Sequence, residues 1–106
     1  MCNCNSGSMK RQEIELRLRK YLERDRKGIR RKLLWILLEG GKYTTEEIYE
    51  KLDTKDVNQR GVSAMVGLMC ARLGIIKTEL GEKNRYFIKQ EYADLVKSIL
   101  QEFERK

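Results

Sequence analysis

The residue types that usually carry catalytic chemistry are scarce in this 106-residue chain. It has no histidine, so the familiar Ser/His and Cys/His pairs, in which a base activates a nucleophile, cannot form. Cys2 and Cys4 resemble half of a metal site, but a structural zinc ion needs four ligands and the third cysteine, Cys70, falls within an apolar helical pattern. No glycine-rich phosphate loop is present. We therefore expect no enzymatic activity, no metal and no cofactor.

Binding chemistry is better represented, because the positive charge is concentrated. The net charge is +7, and residues 9–32 hold eleven basic against four acidic side chains. A second basic stretch, residues 58–89, has six basic and two acidic residues, whereas residues 39–57 have six acidic and three basic ones. Focused positive potential suits a polyanion such as a nucleic acid. The alternative interpretation of such a run is a solvated helix face.

Length and composition indicate one globular domain. Hydrophobic residues make up 41% and charged residues 37% of the chain. The longest apolar run, residues 33–38, is far shorter than the roughly 20 residues that a membrane span needs. Without a signal sequence we expect a cytoplasmic protein that does not contact a membrane. Residues 1–8 lack periodicity and predict a flexible tail, or residues ahead of a native start at Met9, which leaves 9–106 as the domain.

Helical periodicity dominates the elements that must position these charges. The pattern predicts an N-terminal helix over 9–27, a central helix from Ile29 to Glu39, a short helix after Thr44, a helix over 57–73 and a C-terminal helix over 90–106. Thr44 and Glu47 have the spacing of a capping box, and Asp56 with Gln59 gives a weaker cap signal. Gly28 predicts a break or bend, although a continuous helix through it would cost only about 1 kcal/mol.

After Gly74 the period changes from helical to two. Ile76, Thr78 and Leu80 alternate with charged residues, the turn formers 81–84 follow, and residues 85–88 return as a second apolar stretch. This pattern predicts a β-hairpin. The expected fold class is therefore mainly α with a small β-hairpin.

The order of these elements resembles the winged helix-turn-helix superfamily over residues 29–89. A core helix, a short capped helix, a brief turn and a second helix are followed by Leu73-Gly74-Ile75-Ile76, which leads into the hairpin. The whole chain is also similar to small archaeal winged-helix proteins of unassigned function. The resemblance implies a winged helix-turn-helix with added N- and C-terminal helices, and a DNA-binding protein that acts as a transcription regulator.

The resemblance also implies which residues touch double-stranded DNA. The helix over 57–73 would lie in the major groove, where arginine pairs with guanine and asparagine or glutamine with adenine. The residues expected to contact bases are Asn58, Gln59, Arg60 and Ser63. The wing over 81–85 would reach the backbone or minor groove through Lys83, Asn84 and Arg85.

Phosphate contacts are expected from two further places. Thr44 and Thr45 stand at a helix N-terminus, whose free amides attract anions, although helix capping alone explains both residues. Basic residues before the central helix are denser and lie close to the core. The candidates there are Arg26, Lys27, Arg30 and Arg31.

Two questions of partnership stay open at this point. We expect a homodimer through the terminal helices, because they carry narrow apolar stripes that a partner subunit would bury; the alternative is that they pack on each other within one chain. The helix over 57–73 is also short of long polar side chains, since Gly61, Ser63, Ala64 and Gly67 lie on it. This lack of long polar side chains favours an alternative function, a winged-helix adaptor that binds another protein in a larger assembly.

Overall fold

The computed structural model describes residues 11–25 and 27–105, so the expectations for residues 1–8 and for Arg26 lie outside the described residues. The helices are α1 (Arg11–Glu23), α2 (Ile29–Leu38), α3 (Thr45–Leu52), α4 (Gln59–Leu68) and α5 (Gln90–Glu104). Strands β1 (Ile76–Glu79) and β2 (Arg85–Ile88) form an antiparallel hairpin. The predicted fold class, mainly helical with a small hairpin, is confirmed.

The break at Gly28 is real, and the first helix ends four residues earlier than predicted. Gly28 has a φ of 75°, a left-handed conformation that a glycine adopts without strain. The carboxylate of Asp25, which precedes this glycine, accepts hydrogen bonds from the backbone N–H groups of Arg30 and Arg31, which follow it, each at 3.1 Å. Asp25 thereby satisfies two of the free amides at the start of α2.

Helix α2 lies at the centre of the core because it is apolar on most sides. Leu33, Leu34 and Leu37 are buried, and the helix packs against α3, α5 and β2. Burial of three leucines contributes several kcal/mol, at roughly 1.5–3 kcal/mol for each side chain. Helix α2 therefore holds the other elements, including the hairpin, in fixed relative positions.

The terminal helices pack on each other within the chain. Ile14 and Leu18 of α1 are buried, as are Val96 and Ile99 of α5. Arg19 of α1 also forms an ion pair with Glu102 of α5 at 2.6 Å. The apolar stripes that could have been reserved for a second subunit are thus largely covered by the same chain. None of the helices in the described part of the chain is long and apolar enough to cross a membrane.

Helix α4 starts two residues later than the predicted helix over 57–73, and the helical segment ends before Gly74 as predicted, but its last turn is π-helical. The cap predicted at Asp56 is wrong, since Asn58 is the N-cap residue and its Oδ1 accepts from the N–H of Gly61 at 2.7 Å. Residues Met69–Leu73 continue α4 as a π-helical turn, which the left-handed Gly74 ends at a φ of 70°. A π turn carries no periodicity signal of its own, because it spans only five residues.

The hairpin pairs Ile76 with Ile88 and Glu79 with Arg85. Tyr43, ahead of α3, adds a single bridge to β2: its N–H donates to the oxygen of Tyr86 at 3.0 Å, and the N–H of Tyr86 donates back at 2.8 Å. The expectation that Leu80 continues the strand is wrong, since β1 ends at Glu79 and Leu80 is 81% exposed. The wing is therefore anchored to the start of α3.

Candidate nucleic-acid interface

The outward face of α4 is formed by short side chains, one glutamine and one arginine. Val62 and Val66 point into the core, while the exposed positions are Gln59, Arg60, Ser63, Ala64 and Gly67. A Cβ atom added at Gly67 would meet nothing within 4 Å. This face is therefore unobstructed, and Arg60 is its one charged group.

Asn58 is committed to capping α4. Its side-chain oxygen accepts from the backbone of Gly61, and bidentate recognition of adenine needs both the oxygen and the amide of an asparagine. Capping occupies one of the two lone pairs of this oxygen and leaves the amide group for another partner. Gln59, Arg60 and Ser63 are exposed in the first turns of α4, and Asn58 is exposed directly before them, so all four predicted base-contact residues lie on an open surface.

The N-terminus of α3 is an occupied cap. The predicted capping box is present: the Thr44 hydroxyl accepts from the Glu47 N–H at 3.2 Å, and the Thr44 N–H donates to the Glu47 carboxylate at 2.9 Å. This backbone hydrogen bond holds the pKa of Glu47 below its ordinary value. Thr44 is buried and Thr45 is half-buried, so neither hydroxyl is presented freely to a phosphate.

The groove between α3 and the wing is acidic. It has a volume of about 410 Å³. Its carboxylates come from Glu46, Glu47 and Glu50 on α3 and from Glu79 and Glu82 on the hairpin, and Lys83 and Arg85 line it too. A phosphate backbone would be repelled from most of this surface.

The wing residues predicted to contact DNA are all exposed, but one of them is tied to α3. Lys83 Nζ lies 3.4 Å from a carboxylate oxygen of Glu46. At the base of the wing, Lys42 forms an ion pair with Glu79 at 2.7 Å and lowers the pKa of that carboxyl group. Within the described residues Asn84 has no side-chain hydrogen bond and Arg85 forms no ion pair, although the charge of Arg85 helps to lower the pKa of Glu47 and Glu79. Asn84 and Arg85 are therefore the most available groups of the wing.

The basic residues before and at the start of α2, here called the junction cations (Lys27, Arg30, Arg31 and Lys32), mostly hold the protein together. Arg30 donates to the main-chain oxygen of Tyr21 at 2.7 Å, and its guanidinium lies 4.0 Å from the centre of the Tyr21 ring. Arg31 pairs with Asp25 at 3.4 Å. Lys32 donates to the main-chain oxygen of Leu52 at 2.7 Å, which satisfies the end of α3.

Lys27 is the junction cation that remains open to a ligand. Its Nζ pairs with Asp56 at 3.1 Å, but its side chain is 64% exposed. Because Asp56 lies in the turn between α3 and α4, this contact places Lys27 beside the helix-turn-helix. Among the predicted phosphate contacts that the structure describes, Lys27 is thus the one with an ion pair beside α4.

A basic groove that the sequence reasoning did not assign lies on the other side of α4. Its cations come from α1, from the residue that follows α1 and from the π turn, and we call them the groove cations: Arg17, Lys20, Arg24 and Arg72. The first three recur at i, i+3 and i+7, the spacing of one helix face. That spacing could have been read from the sequence, whereas the approach of Arg72 depends on the tertiary fold.

Solved structures share this arrangement of elements. The solution NMR structure of a homodimeric winged helix-turn-helix DNA-binding domain from Mycobacterium bovis, described as a possible ArsR-family transcriptional regulator, superposes with a TM-score of 0.63. It is 18% identical, over 93% of this chain and 90% of that one. The crystal structure of the transcriptional repressor BigR from Xylella fastidiosa gives a TM-score of 0.57 at 22% identity, over 90% of this chain and 97% of that one. The predicted winged helix-turn-helix fold is confirmed.

Sequence relatives place the chain in a family. A protein of Archaeoglobus fulgidus, described as uncharacterized, is 65% identical over 94 residues, which cover 87% of this chain and 97% of that protein. Its source agrees with the predicted similarity to small archaeal proteins. Residues 18–96 match the family described as a protein of unknown function, DUF2551. The chain belongs to the DUF2551 family.

Proposed function

We propose that this protein binds double-stranded DNA as a transcription regulator, with α4 in the major groove. The observation that carries the proposal is the unobstructed outer face of α4, on a fold shared with a DNA-binding domain and a transcriptional repressor. Short side chains at Ser63, Ala64 and Gly67 allow the helix backbone to approach base edges closely. A helix of this diameter fits the major groove, which is about 12 Å wide.

Base recognition falls to the first turns of α4. Arg60 is the candidate for a bidentate contact with guanine, and Gln59 for a contact with adenine. Ser63 and the amide group of Asn58 supply shorter hydrogen bonds beside them. These four residues leave a modest recognition surface, so much of the affinity must come from phosphate contacts.

Backbone contacts are proposed on both sides of α4. Asn84 and Arg85 extend from the wing, and Lys27 flanks the turn before α4. Lys83 reaches phosphate only by leaving Glu46, and Arg31 only by leaving Asp25, so their contributions are smaller. Arg30 and the capped Thr44 are held most firmly by the protein, so we expect the smallest phosphate contacts from their side chains. At Thr45, the backbone amides of the helix N-terminus are the donors available to a phosphate.

The test is fluorescence anisotropy with a labelled mixed-sequence duplex across a salt series. We expect log K to fall linearly with log[salt], with a slope of about −0.9 for each neutralised phosphate. The double variant Arg60→Ala/Arg85→Ala should lose tenfold or more in affinity, since each arginine contact is worth about 1–3 kcal/mol. Lys97→Ala/Arg105→Ala, which removes the same charge from α5, is the control. Absence of binding at low salt would overturn the proposal.

We also propose that the protein acts as a homodimer through the outer surface of its terminal helices. The M. bovis domain is homodimeric, and Leu16 on the outer face of α1 is 55% exposed. Sedimentation at tens of micromolar should show a dimer, and Leu16→Arg should shift it towards monomer. A monomer for the unmodified chain would contradict the dimer and leave DNA binding unaffected.

A second candidate function, an adaptor that binds another protein, is favoured by the acidic groove between α3 and the wing. Five glutamates line that groove, and a duplex lying on the wing would approach them. The adaptor makes a distinct prediction in the anisotropy experiment: the unmodified protein and the Arg60→Ala/Arg85→Ala variant should both fail to bind the duplex at low salt.

A further inference from the structure

The groove between α1 and the π turn combines an apolar floor with a basic rim. Its volume is about 570 Å³, within the range of small-molecule sites. Leu68, Ala71 and Leu73 line it from the α4 side, and Tyr21 lines it from α1. The groove cations surround this floor, and no carboxylate is among its lining residues.

The groove cations lack the acidic partners that other basic residues have. Arg19, Lys27 and Arg31 form ion pairs with carboxylates, whereas none of the groove cations has one within the described residues. Arg17 donates instead to the main-chain oxygen of Arg72 at 3.2 Å, which joins α1 to the π turn. Four positive groups around one cavity repel one another unless an anion lies between them.

Tyr21 lines the groove, but its hydroxyl is covered by the protein. The residue is 9% exposed, and its hydroxyl is buried without a hydrogen-bond partner in the described part of the chain. Arg30 fixes the ring by stacking on it. Burial raises the pKa of the Tyr21 hydroxyl, so at neutral pH it remains a protonated donor. The charges that act on this hydroxyl are those of Arg30 and Asp25, so it lies towards the start of α2 and not among the groove cations.

We propose that this groove binds a phosphorylated small molecule with an apolar or aromatic body. Arginine guanidinium groups match phosphate oxygens in a bidentate way, and the floor accepts the apolar body. Because α4 and the π turn are continuous, such a ligand would contact the far end of the recognition helix. The proposal goes beyond DNA binding and stands without it.

The experiment titrates the full chain into mant-ADP, a fluorescent nucleotide, at 150 mM salt and follows anisotropy. Arg24→Gln/Arg72→Gln should weaken binding at least tenfold, and Lys97→Gln/Arg105→Gln, with the same loss of charge, should leave it unchanged. Equal weakening by both double variants, or no binding up to millimolar protein, would overturn the proposal.

Competition identifies what the groove recognises. Unlabelled ADP should displace mant-ADP at concentrations far below those of inorganic phosphate at matched ionic strength. Equal displacement by phosphate would show that the apolar floor contributes nothing and would overturn the proposed ligand class. If mant-ADP fails to bind while Arg24→Gln/Arg72→Gln lowers duplex affinity tenfold, the groove belongs to the nucleic-acid interface and the small-molecule proposal is wrong. A failure of duplex binding alone would affect only the proposed DNA function.

Discussion

Two clusters of positive charge, close together in the sequence, have opposite fates in the fold. Most of the junction cations bind groups of the protein itself. Arg30 contacts the ring and the main-chain oxygen of Tyr21, Arg31 pairs with a carboxylate, and Lys32 donates to a carbonyl group at the end of α3. The groove cations point their charge into a cavity without a carboxylate. Density of charge in the sequence therefore does not tell where positive potential is available to a ligand, because neighbouring acceptors decide it.

The largest effect is expected at Asp25, which organises the junction cations. Asp25→Ala removes two hydrogen bonds to the start of α2 and the partner of Arg31. Since the Asp25 side chain is only 4% exposed, we expect a loss of about 2 kcal/mol in the free energy of unfolding, measured by urea denaturation. Glu23→Ala, an exposed residue in the same connection, should change it by less than about 0.5 kcal/mol. Equal losses in the two variants would show that Asp25 is not a cap.

A slightly smaller effect is expected at Arg30. Arg30→Ala loses the hydrogen bond to Tyr21 and the stacking on its ring, which together are worth about 1–2 kcal/mol of stability. Arg24→Ala removes the same charge from the groove and should stay within about 0.5 kcal/mol of the unmodified protein. A larger loss in the free energy of unfolding for Arg24→Ala than for Arg30→Ala, measured by urea denaturation, would contradict the difference between the two clusters.

The sequence predicted the elements because their signals are local. The capping box at Thr44 and Glu47, the break at Gly28 and the alternation of β1 all depend on residues within a few positions of one another. Predicted helix ends were less accurate, since Asn58 and Asp56 both have capping side chains and the packed turn selects one.

The candidate site was less predictable than the fold because its properties depend on tertiary contacts. Arg30 has the same sequence signal as any exposed arginine, and only the fold places it on Tyr21. Arg72 joins Arg17 across 55 positions of sequence through a π turn that no periodicity predicts. The acidic lining of the groove beside the wing likewise arises from residues far apart in the chain.

A salt series on stability would sharpen the comparison further. Arg24→Gln relieves repulsion among the groove cations, so it should raise stability by a few tenths of a kcal/mol at low salt. Arg19→Gln removes an arginine that pairs with Glu15 and Glu102 and should lower stability by a similar amount. Both differences should shrink towards zero near 1 M salt. Stability changes of the same sign in the two variants would show that the presence or absence of a carboxylate partner does not distinguish Arg19 from Arg24.

The smallest effect concerns a negative charge, at the N-terminus of α3. The pKa of Glu47 is lowered chiefly by the hydrogen bond from the Thr44 backbone, so its folded pKa lies below its unfolded one. Its contribution to stability is therefore complete above the unfolded pKa, near 4.5, and is lost as the pH falls through the folded pKa. Glu47→Gln keeps an acceptor for Thr44 but cannot titrate. In urea denaturation between pH 6 and pH 3 the Glu47→Gln variant should lose less stability than the unmodified protein. The exposed control Glu39→Gln should lose as much stability as the unmodified protein. Equal losses of stability in Glu47→Gln and the unmodified chain would contradict the assignment. A smaller loss in the variant would show that hydrogen bonds to the backbone determine the role of the Glu47 carboxylate, as they do for the junction cations.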